Sequence, residues 1–503
     1  MTLPPHLVDL QREIRGYAVE AQLDFFEVIF ELVSVEEMNM VAAYGGFPTR
    51  YPHWRWGMEY EQLAKSHEYG LSKIYELVIN TDPCYAYLID SNSIMEQKLV
   101  MAHVYGHSDF FKNNYYFKNT NRRMLDQLAN HAARIRRYMD KYGVERVESF
   151  LDACMSVENL IDQRALFERR RHPERIESDG EEEGAAPPSP RLLPADKGYL
   201  RSYINPSEFI EAERKKLQED AKRKKRFPIQ PERDVIGFMM ENGPLETWEQ
   251  DCVDIIREEA YYFAPQMQTK IMNEGWASYW HSRTMTTRAL KDSELMDYAD
   301  VHSSTMGVQP GSINPYKLGI ELFKHIEDRW NKGQYGKDWD ECDDFATRRA
   351  WDKQTGEGQS KIFEVRKLHN DVTFIDEFLT EDFAREQKLF TYGMNRNSGD
   401  WEIQSREFRE VKDRLLGQLT NFGNPVIDVI DANWQNRGEL LMTHTHYGVD
   451  LRGDWARDAL SNAYQLWRRP VGIATRVENK PVVLRFDGST HSEKAYSVRD
   501  LKS

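Results

Sequence analysis

The pattern of apolar residues changes once along this chain, near residue 370, and this change limits the fold more than any other feature. Before it, apolar residues recur at three- and four-residue steps over most of the sequence, which predicts helices. After it, short β-branched and aromatic runs alternate with helical segments, which predicts a mainly antiparallel sheet. The expected fold class is therefore α+β, with a large, mainly helical N-terminal domain, a short β-hairpin within it, and a smaller α+β domain.

Breaks in composition divide the 503 residues further. A Pro-rich, acidic stretch predicts a flexible linker. Residues 6–42 predict one long amphipathic helix, and residues 74–90 predict the hairpin. The expected segments are a helical domain at 1–170, the linker at 171–206, a helical continuation at 207–365 and the α+β domain at 370–503.

A pair of histidines follows the predicted hairpin. Ser93 and Glu96 form the S-x-x-E pattern of a capping box, which predicts that a helix begins there. His103 and His107 stand four residues apart on that helix, about 40° apart around its axis. Both imidazoles can therefore reach one metal ion, as in the H-E-x-x-H class of site.

A second segment, NEGWASYWH, offers a third ligand. Gly275, Ala277 and Ser278 are small and would let another helix approach closely, so that Glu274 faces that neighbour. A buried carboxylate needs a cation or hydrogen-bond donors to offset its lost hydration. Two imidazoles and one carboxylate make an open three-ligand site for a divalent metal.

The N-E-G-x-A pattern resembles the second zinc motif of gluzincin metallopeptidases, whose first motif is H-E-x-x-H. That resemblance implies that His103, His107 and Glu274 are the ligands and that the metal is zinc in preference to iron. The catalytic glutamate of the first motif is replaced by Val104, so a hydrolase would need another carboxylate as its base. The carboxylates that could serve in that role are Asp109, Glu258, Glu259 and Glu96.

Other polar residues are expected near the site. His281 lies seven residues after Glu274, about 10.5 Å along a helix, so it could act on substrate, support a ligand or belong to the core. His302, in an expected loop, could also approach. Residues that could line the pocket or bond to the ligands are His53, Asn113 and Asn114. His444 and His446 alternate on an expected strand, so both side chains would point to one face of the sheet. They would form either a polar outer face or a second metal site.

Composition excludes several classes of protein. Aromatic residues make up 12% of the chain, which argues against disorder. The net charge of −15 argues against nucleic-acid binding. Four scattered Cys predict no disulfide framework, and no signal peptide or run of 18 apolar residues is expected. The expected location is the cytoplasm.

Several long motifs resemble the stage V sporulation protein R (SpoVR) family: YPHWRWG, HVYGHSDFFKNN, YYFAPQMQTKIMNEGWASYWHS, VHSSTMGVQPGSINPYKLG and THTHYGVDL. This resemblance implies a bacterial protein linked to the spore cortex or to stress physiology. It also implies association with a PrkA-type serine kinase and a von Willebrand A-like protein. It does not imply a particular activity.

Three functions are consistent with the sequence. The first is a zinc-dependent hydrolase of amide bonds, which the gluzincin-like motifs favour. The second is a non-haem iron enzyme, because two His and one carboxylate are also the ligands of Fe(II) oxygenases. The third is a regulatory scaffold with a structural metal. We expect the first.

Overall fold

A computed structural model describes residues 3–68, 76–168, 206–212, 214–215, 227–308, 312–394 and 400–496. The predicted linker at 171–206 lies outside these residues, apart from Pro206. Within the described part of the chain, no helix has both the length and the apolar composition that crossing a membrane requires.

The helices are numbered in chain order. Their bounds are α1 Pro5–Glu20, α2 Val35–Ala43, α3 Trp54–Glu68, α4 Ile94–Asn113, α5 Met124–Tyr142, α6 Val144–Met155, α7 Val235–Asn242, α8 Thr247–Gln268, α9 Lys270–Thr284, α10 Leu295–Thr305, α11 Pro315–Asn331, α12 Lys337–Asp340, α13 Phe345–Arg349, α14 Gly358–Leu368, α15 Asp371–Phe378, α16 Glu381–Glu386, α17 Phe408–Leu419 and α18 Gly453–Trp467. A π-helical turn, Met285–Ala289, directly follows α9.

The strands form three sheets. Their bounds are β1 Val28–Val33, β2 Glu76–Ile79, β3 Cys84–Ile89, β4 Thr391–Met394, β5 Trp401–Ser405, β6 Ile427–Trp434, β7 Glu439–His444, β8 Val471–Val477, β9 Lys480–Phe486 and β10 His491–Ala495. The sheet orders are β1-β3-β2, β4-β5 and β10-β9-β8-β7-β6. In the five-stranded sheet only β7 and β8 run parallel, and α18 connects them. The predicted α+β class with a mainly antiparallel sheet is confirmed.

The chain forms two compact units, each made of two stretches of sequence. The first contains Met1–Lys141 and Tyr262–Gly423, and the second contains Tyr142–Tyr261 and Asn424–Ser503. The five-stranded sheet belongs to the second unit. The segment boundaries expected from the sequence stay a prediction.

The first unit is built around α4 and α9, whose residues, polar ones included, are buried on nearly all sides of each helix. Val104 and Trp276 are fully buried on these helices. The hairpin of β2 and β3 is confirmed, with Val78 opposite Ala86. The long helix predicted at 6–42 is wrong. Its β-branched middle forms β1, which pairs in parallel with β3 and buries Phe30 in the core.

Candidate metal centre

The first histidine helix begins as the sequence predicts. Ser93 Oγ accepts a hydrogen bond from the Glu96 backbone N–H, and Glu96 Oε2 accepts one from the Ser93 N–H at 2.7 Å. This capping box satisfies two N–H groups that the helix itself cannot pair. Glu96 is therefore used to begin α4, three turns before the second histidine.

Glycines bring the helices of the site unusually close together. A Cβ atom on Gly106 would lie 2.7 Å from Ala277 Cα, and one on Gly275 would lie 2.4 Å from Gly319 Cα. Thus α4 packs on one side of α9 and α11 on another, with backbone against backbone. The close helix approach predicted around Glu274 is confirmed at Gly275 and Ala277.

The three predicted ligands meet in the core of the first unit. Glu274 Oε2 lies 3.4 Å from His103 Nε2 and 3.5 Å from His107 Nε2. The three ligand atoms all lie within 4.8 Å of one another. Bonds of about 2.0–2.1 Å in a tetrahedral site would separate neighbouring ligands by roughly 3.4 Å. The spacing fits a single ion, whereas a good direct hydrogen bond would be about 2.9 Å.

The outer nitrogen of His107 fixes the orientation of its ring. His107 Nδ1 lies 2.8 Å from Asn273 Oδ1, and an amide oxygen only accepts, so this nitrogen carries a hydrogen. In a neutral ring, Nε2 would then direct a lone pair at the Glu274 carboxylate. Two acceptors facing each other in a buried site need a cation between them. A metal ion would supply it, and a proton would supply it when no metal is bound.

The outer nitrogen of His103 contacts another histidine. His103 Nδ1 and His281 Nδ1 are 2.7 Å apart. If His103 Nε2 faces a metal, its Nδ1 donates and His281 Nδ1 accepts, so the one ring N–H hydrogen of neutral His281 lies on Nε2. Burial lowers the pKa of His281 well below its usual range, and the charges of His103 and His302 add to this effect. His281 therefore contacts the side of the His103 ring that faces away from Glu274.

His302 lies next in this row of rings. It sits on α10, so the loop expected at this position is wrong. Its ring centroid is 5.9 Å from that of His281 at an angle of 88°, and it stacks on Tyr298 at 5.5 Å. It contacts the site through His281.

Lys270 and Tyr316 border the exposed side of the group, and the sequence argument assigned them no role. Lys270 Nζ lies 2.5 Å from Glu274 Oε1, four residues further along α9. The Tyr316 ring lies 6.0 Å from that ammonium and 6.2 Å from the His103 ring. Burial raises the pKa of Glu274, but His103, His107 and Lys270 together hold it well below its usual range. The i,i+4 spacing of Lys270 and Glu274 was a visible signal.

The start of α9 is held from a distant part of the chain. Both carboxylate oxygens of Asp371 accept backbone hydrogen bonds, from Ile271 at 2.8 Å and from Met272 at 2.9 Å. These N–H groups lack partners within their own helix. Burial raises the pKa of Asp371 to about 7, although the two N–H donors oppose the shift. Asp371 thus fixes the helix that carries Glu274.

Asp109 joins elements of the core. Its Oδ1 accepts from the Asp24 N–H at 2.8 Å, and its Oδ2 accepts from the Trp276 indole at 2.7 Å. Arg366 lies 3.4 Å from the same oxygen. Burial raises the pKa of Asp109 to about 6, with Arg366 opposing. Its role as a base stays a prediction, and its contacts are those of a structural residue.

The two asparagines after the histidine pair bond to backbone. Asn113 Nδ2 donates to the carbonyl oxygens of Asp24 and Asp109, and Asn114 Nδ2 donates to those of Arg366 and His369. They close the end of α4 against its neighbours. None of these four bonds involves a ligand side chain.

The remaining candidates lie elsewhere along the chain. His53 precedes α3, and its Nδ1 accepts from the Arg55 N–H at 3.2 Å. Glu258 and Glu259 belong to the second unit, whereas all three ligands belong to the first. Their suggested roles stay predictions.

The second histidine pair does not form a comparable group. His444 ends β7 and its Nδ1 lies 2.8 Å from Thr475 Oγ1, while His446 lies beyond the strand and pairs with Asp450 at 2.8 Å. Among the described residues, His103, His107 and Glu274 are the group whose atoms converge as a metal site requires. The expectation that both histidines lie on one strand is therefore wrong for His446, because the strand ends at His444.

Comparison with known proteins places this site in a family. The model of the family described as SpoVR like protein matches residues 3–424, which include all three ligands. The chain belongs to the SpoVR family. It is also 29% identical over 520 residues to an uncharacterized Escherichia coli (strain K12) protein, YcgB, covering 96% of this chain and 93% of the relative. No solved structure gives a significant match.

The SpoVR match ends before β6, so the five-stranded sheet lies beyond it. The THTHYGVDL segment, which was included in the resemblance, therefore lies outside the matched range. The segments of the SpoVR resemblance that carry the ligands lie within it.

Proposed function

We propose that this SpoVR family member is a metal-dependent hydrolase of amide bonds, with zinc held by His103, His107 and Glu274. The observation that carries the proposal is the 3.4 and 3.5 Å spacing from Glu274 Oε2 to two imidazole nitrogens, in a group of three ligand residues among those that the structure describes. Bound zinc would polarise a carbonyl group and lower the pKa of water to about 7.

The residues around the ligands would keep them in place and keep bulk water away. Asn273 and His281 bond to the outer nitrogens and so hold both rings in the orientation that ligation needs. Phe111 stacks on His107 with the ring planes 15° apart. In such apolar surroundings, electrostatic interactions with a substrate are stronger than in water.

A specific observation favours a second candidate, a non-haem iron enzyme. Val104, which occupies the position of the gluzincin glutamate, is fully buried and apolar. Glu96 begins a helix, and Asp109 accepts from two donors in the core. Oxygen chemistry at a two-His, one-carboxylate iron site needs no carboxylate base.

Metal analysis followed by an activity assay distinguishes the candidates. Protein purified with and without oxygen should contain one zinc per chain under both conditions. The zinc-loaded protein should hydrolyse amide bonds in N-acyl amino acids or cell-wall peptides, and Glu274→Gln should not. Iron recovered only without oxygen would favour the second candidate. Zinc without activity, together with unfolding of Glu274→Ala, would favour a scaffold with a structural metal.

The cellular setting is proposed by family association alone. It comprises a cytoplasmic location, a link to sporulation or stress physiology, and partnership with a PrkA-type kinase and a von Willebrand A-like protein. Purification of a tagged chain from its host should recover both partners. Recovery of neither would contradict the partnership while leaving the metal proposal intact.

A further inference from the structure

The ammonium group of Lys270 has an unusual place beside the proposed metal centre. The Lys270 side chain is 58% exposed, whereas that of Glu274, its partner at 2.5 Å, is 8% exposed. Lys270 thus lies between the buried carboxylate and the solvent. A ligand that approaches Glu274 from this side meets Lys270 first.

The carboxylate divides its two oxygens between two kinds of partner. Oε2 faces His103 and His107, and Oε1 faces Lys270. Once a divalent ion occupies the histidine side, that ion neutralises Glu274. A lysine is then unnecessary for neutralising the carboxylate, and like charge makes it unfavourable beside the ion.

The charges at the proposed metal centre do not cancel. A divalent ion, one carboxylate, one ammonium and two neutral imidazoles leave a net charge of about +2 at the site. The Lys270 ammonium has three N–H donors, and the bond to Glu274 uses one of them. Tyr316 lies beside both Lys270 and His103, and Glu274 contacts the lysine through Oε1 and the histidines through Oε2, so the lysine lies one carboxylate away from the proposed ion.

We propose that Lys270 binds an anionic group, a carboxylate or a phosphate, of the ligand that reaches the metal centre. This inference rests on the proposed function and names the substrate class: an amide compound with a negative charge next to the bond that reacts. Lys270 would be a substrate-binding residue, and the face of Tyr316 would support its position.

The test measures anion binding by the zinc-loaded full chain, using isothermal titration with inorganic phosphate and, separately, with acetate. Lys270→Met keeps the length of the side chain without its charge. We expect it to bind one zinc per chain but to bind the preferred anion about tenfold more weakly, the effect of losing one charge-assisted hydrogen bond. Lys270→Arg should restore most of this affinity.

Lys332, the residue directly after α11, provides a matched control, because it pairs with Asp328 at 2.7 Å with the same four-residue spacing. Lys332→Met should leave binding of both anions unchanged. The anion whose affinity depends on Lys270 identifies the group as carboxylate or phosphate. The role of Lys270 would be overturned, with the proposed function intact, if wild type and Lys270→Met bound anions equally. The same would follow if the zinc-loaded wild type bound neither anion. Failure of the wild type to bind zinc would overturn the proposed function as well.

Discussion

At the scale of single residues, the site depends on how the outer nitrogens of its histidines are held. His281 Nδ1 lies 2.7 Å from His103 Nδ1, the ring nitrogen that faces away from Glu274. We predict that His281→Ala weakens zinc binding by about 10- to 100-fold, the usual cost of losing a hydrogen bond to a ligand. Zinc competition with a chromophoric chelator measures this change. His302→Ala, which removes ring contacts to His281 and Tyr298 but none to a ligand, should change zinc affinity less than about threefold. Equal effects would contradict the assignment.

A second residue-scale prediction concerns pH. The pKa of Asp371, about 7 in the folded chain, is raised above its ordinary value of 3.8. A raised pKa means that the folded state holds the proton more tightly, so its stabilising effect is full below pH about 4 and is lost as pH rises to about 7. Asp371 therefore contributes at most about 4 kcal/mol to this loss.

Denaturant unfolding between pH 4 and 7 measures the effect of Asp371. Asp371→Asn has no proton to lose, so its free energy of unfolding should fall less with pH than that of the wild type. It should also be less stable at pH 4, because its single amide oxygen replaces only one of the two acceptors for the start of α9. Identical slopes in the two proteins would show that Asp371 does not titrate in this range.

At the scale of helices, close packing of α4 on α9 brings the ligands together. Gly106→Ala would place a Cβ 2.7 Å from Ala277 Cα. Although Ala favours helices more than Gly, we predict a net loss of about 1–3 kcal/mol from overpacking. We also predict weaker zinc binding, because the histidines move away from Glu274. Thermal unfolding and zinc titration test both expectations.

Gly16→Ala in α1 is the control for this prediction. A Cβ there meets nothing within 4 Å, so the same substitution should stabilise the chain by up to about 1 kcal/mol. It should leave zinc binding unchanged. A Gly106→Ala protein that behaves like Gly16→Ala would show that helix separation does not set the ligand geometry.

The sequence predicted those parts of the site that local patterns encode. The His103–His107 spacing places both rings on one face of a helix. The Glu96 capping box marks where that helix begins, and the small residues around Glu274 mark where another helix packs closely. Asp371 was missed because it acts on α9 from 100 residues away, and no local pattern records such a contact. The strand β1 was missed because its residues continue the apolar spacing of a helix, and only pairing with β3 favours the extended form.

At the scale of the whole molecule, the metal should stabilise the unit that contains it. Zinc at about 100 times its dissociation constant would add about 2.7 kcal/mol to the stability of the folded state. Hydrogen exchange should show zinc-dependent protection in α4 and α9 of the first unit, and little in β6–β10 of the second. Equal protection of both units would contradict a local site.

The most direct test of a His103–His107–Glu274 metal centre is the metal content of the purified chain. Inductively coupled plasma mass spectrometry should find one zinc per chain in the wild type after zinc loading and dialysis. It should find less than about a tenth of that in His103→Ala, because two ligands hold zinc far less tightly than three. A wild type without bound zinc or iron, or a His103→Ala protein with the same metal content as the wild type, would contradict the account.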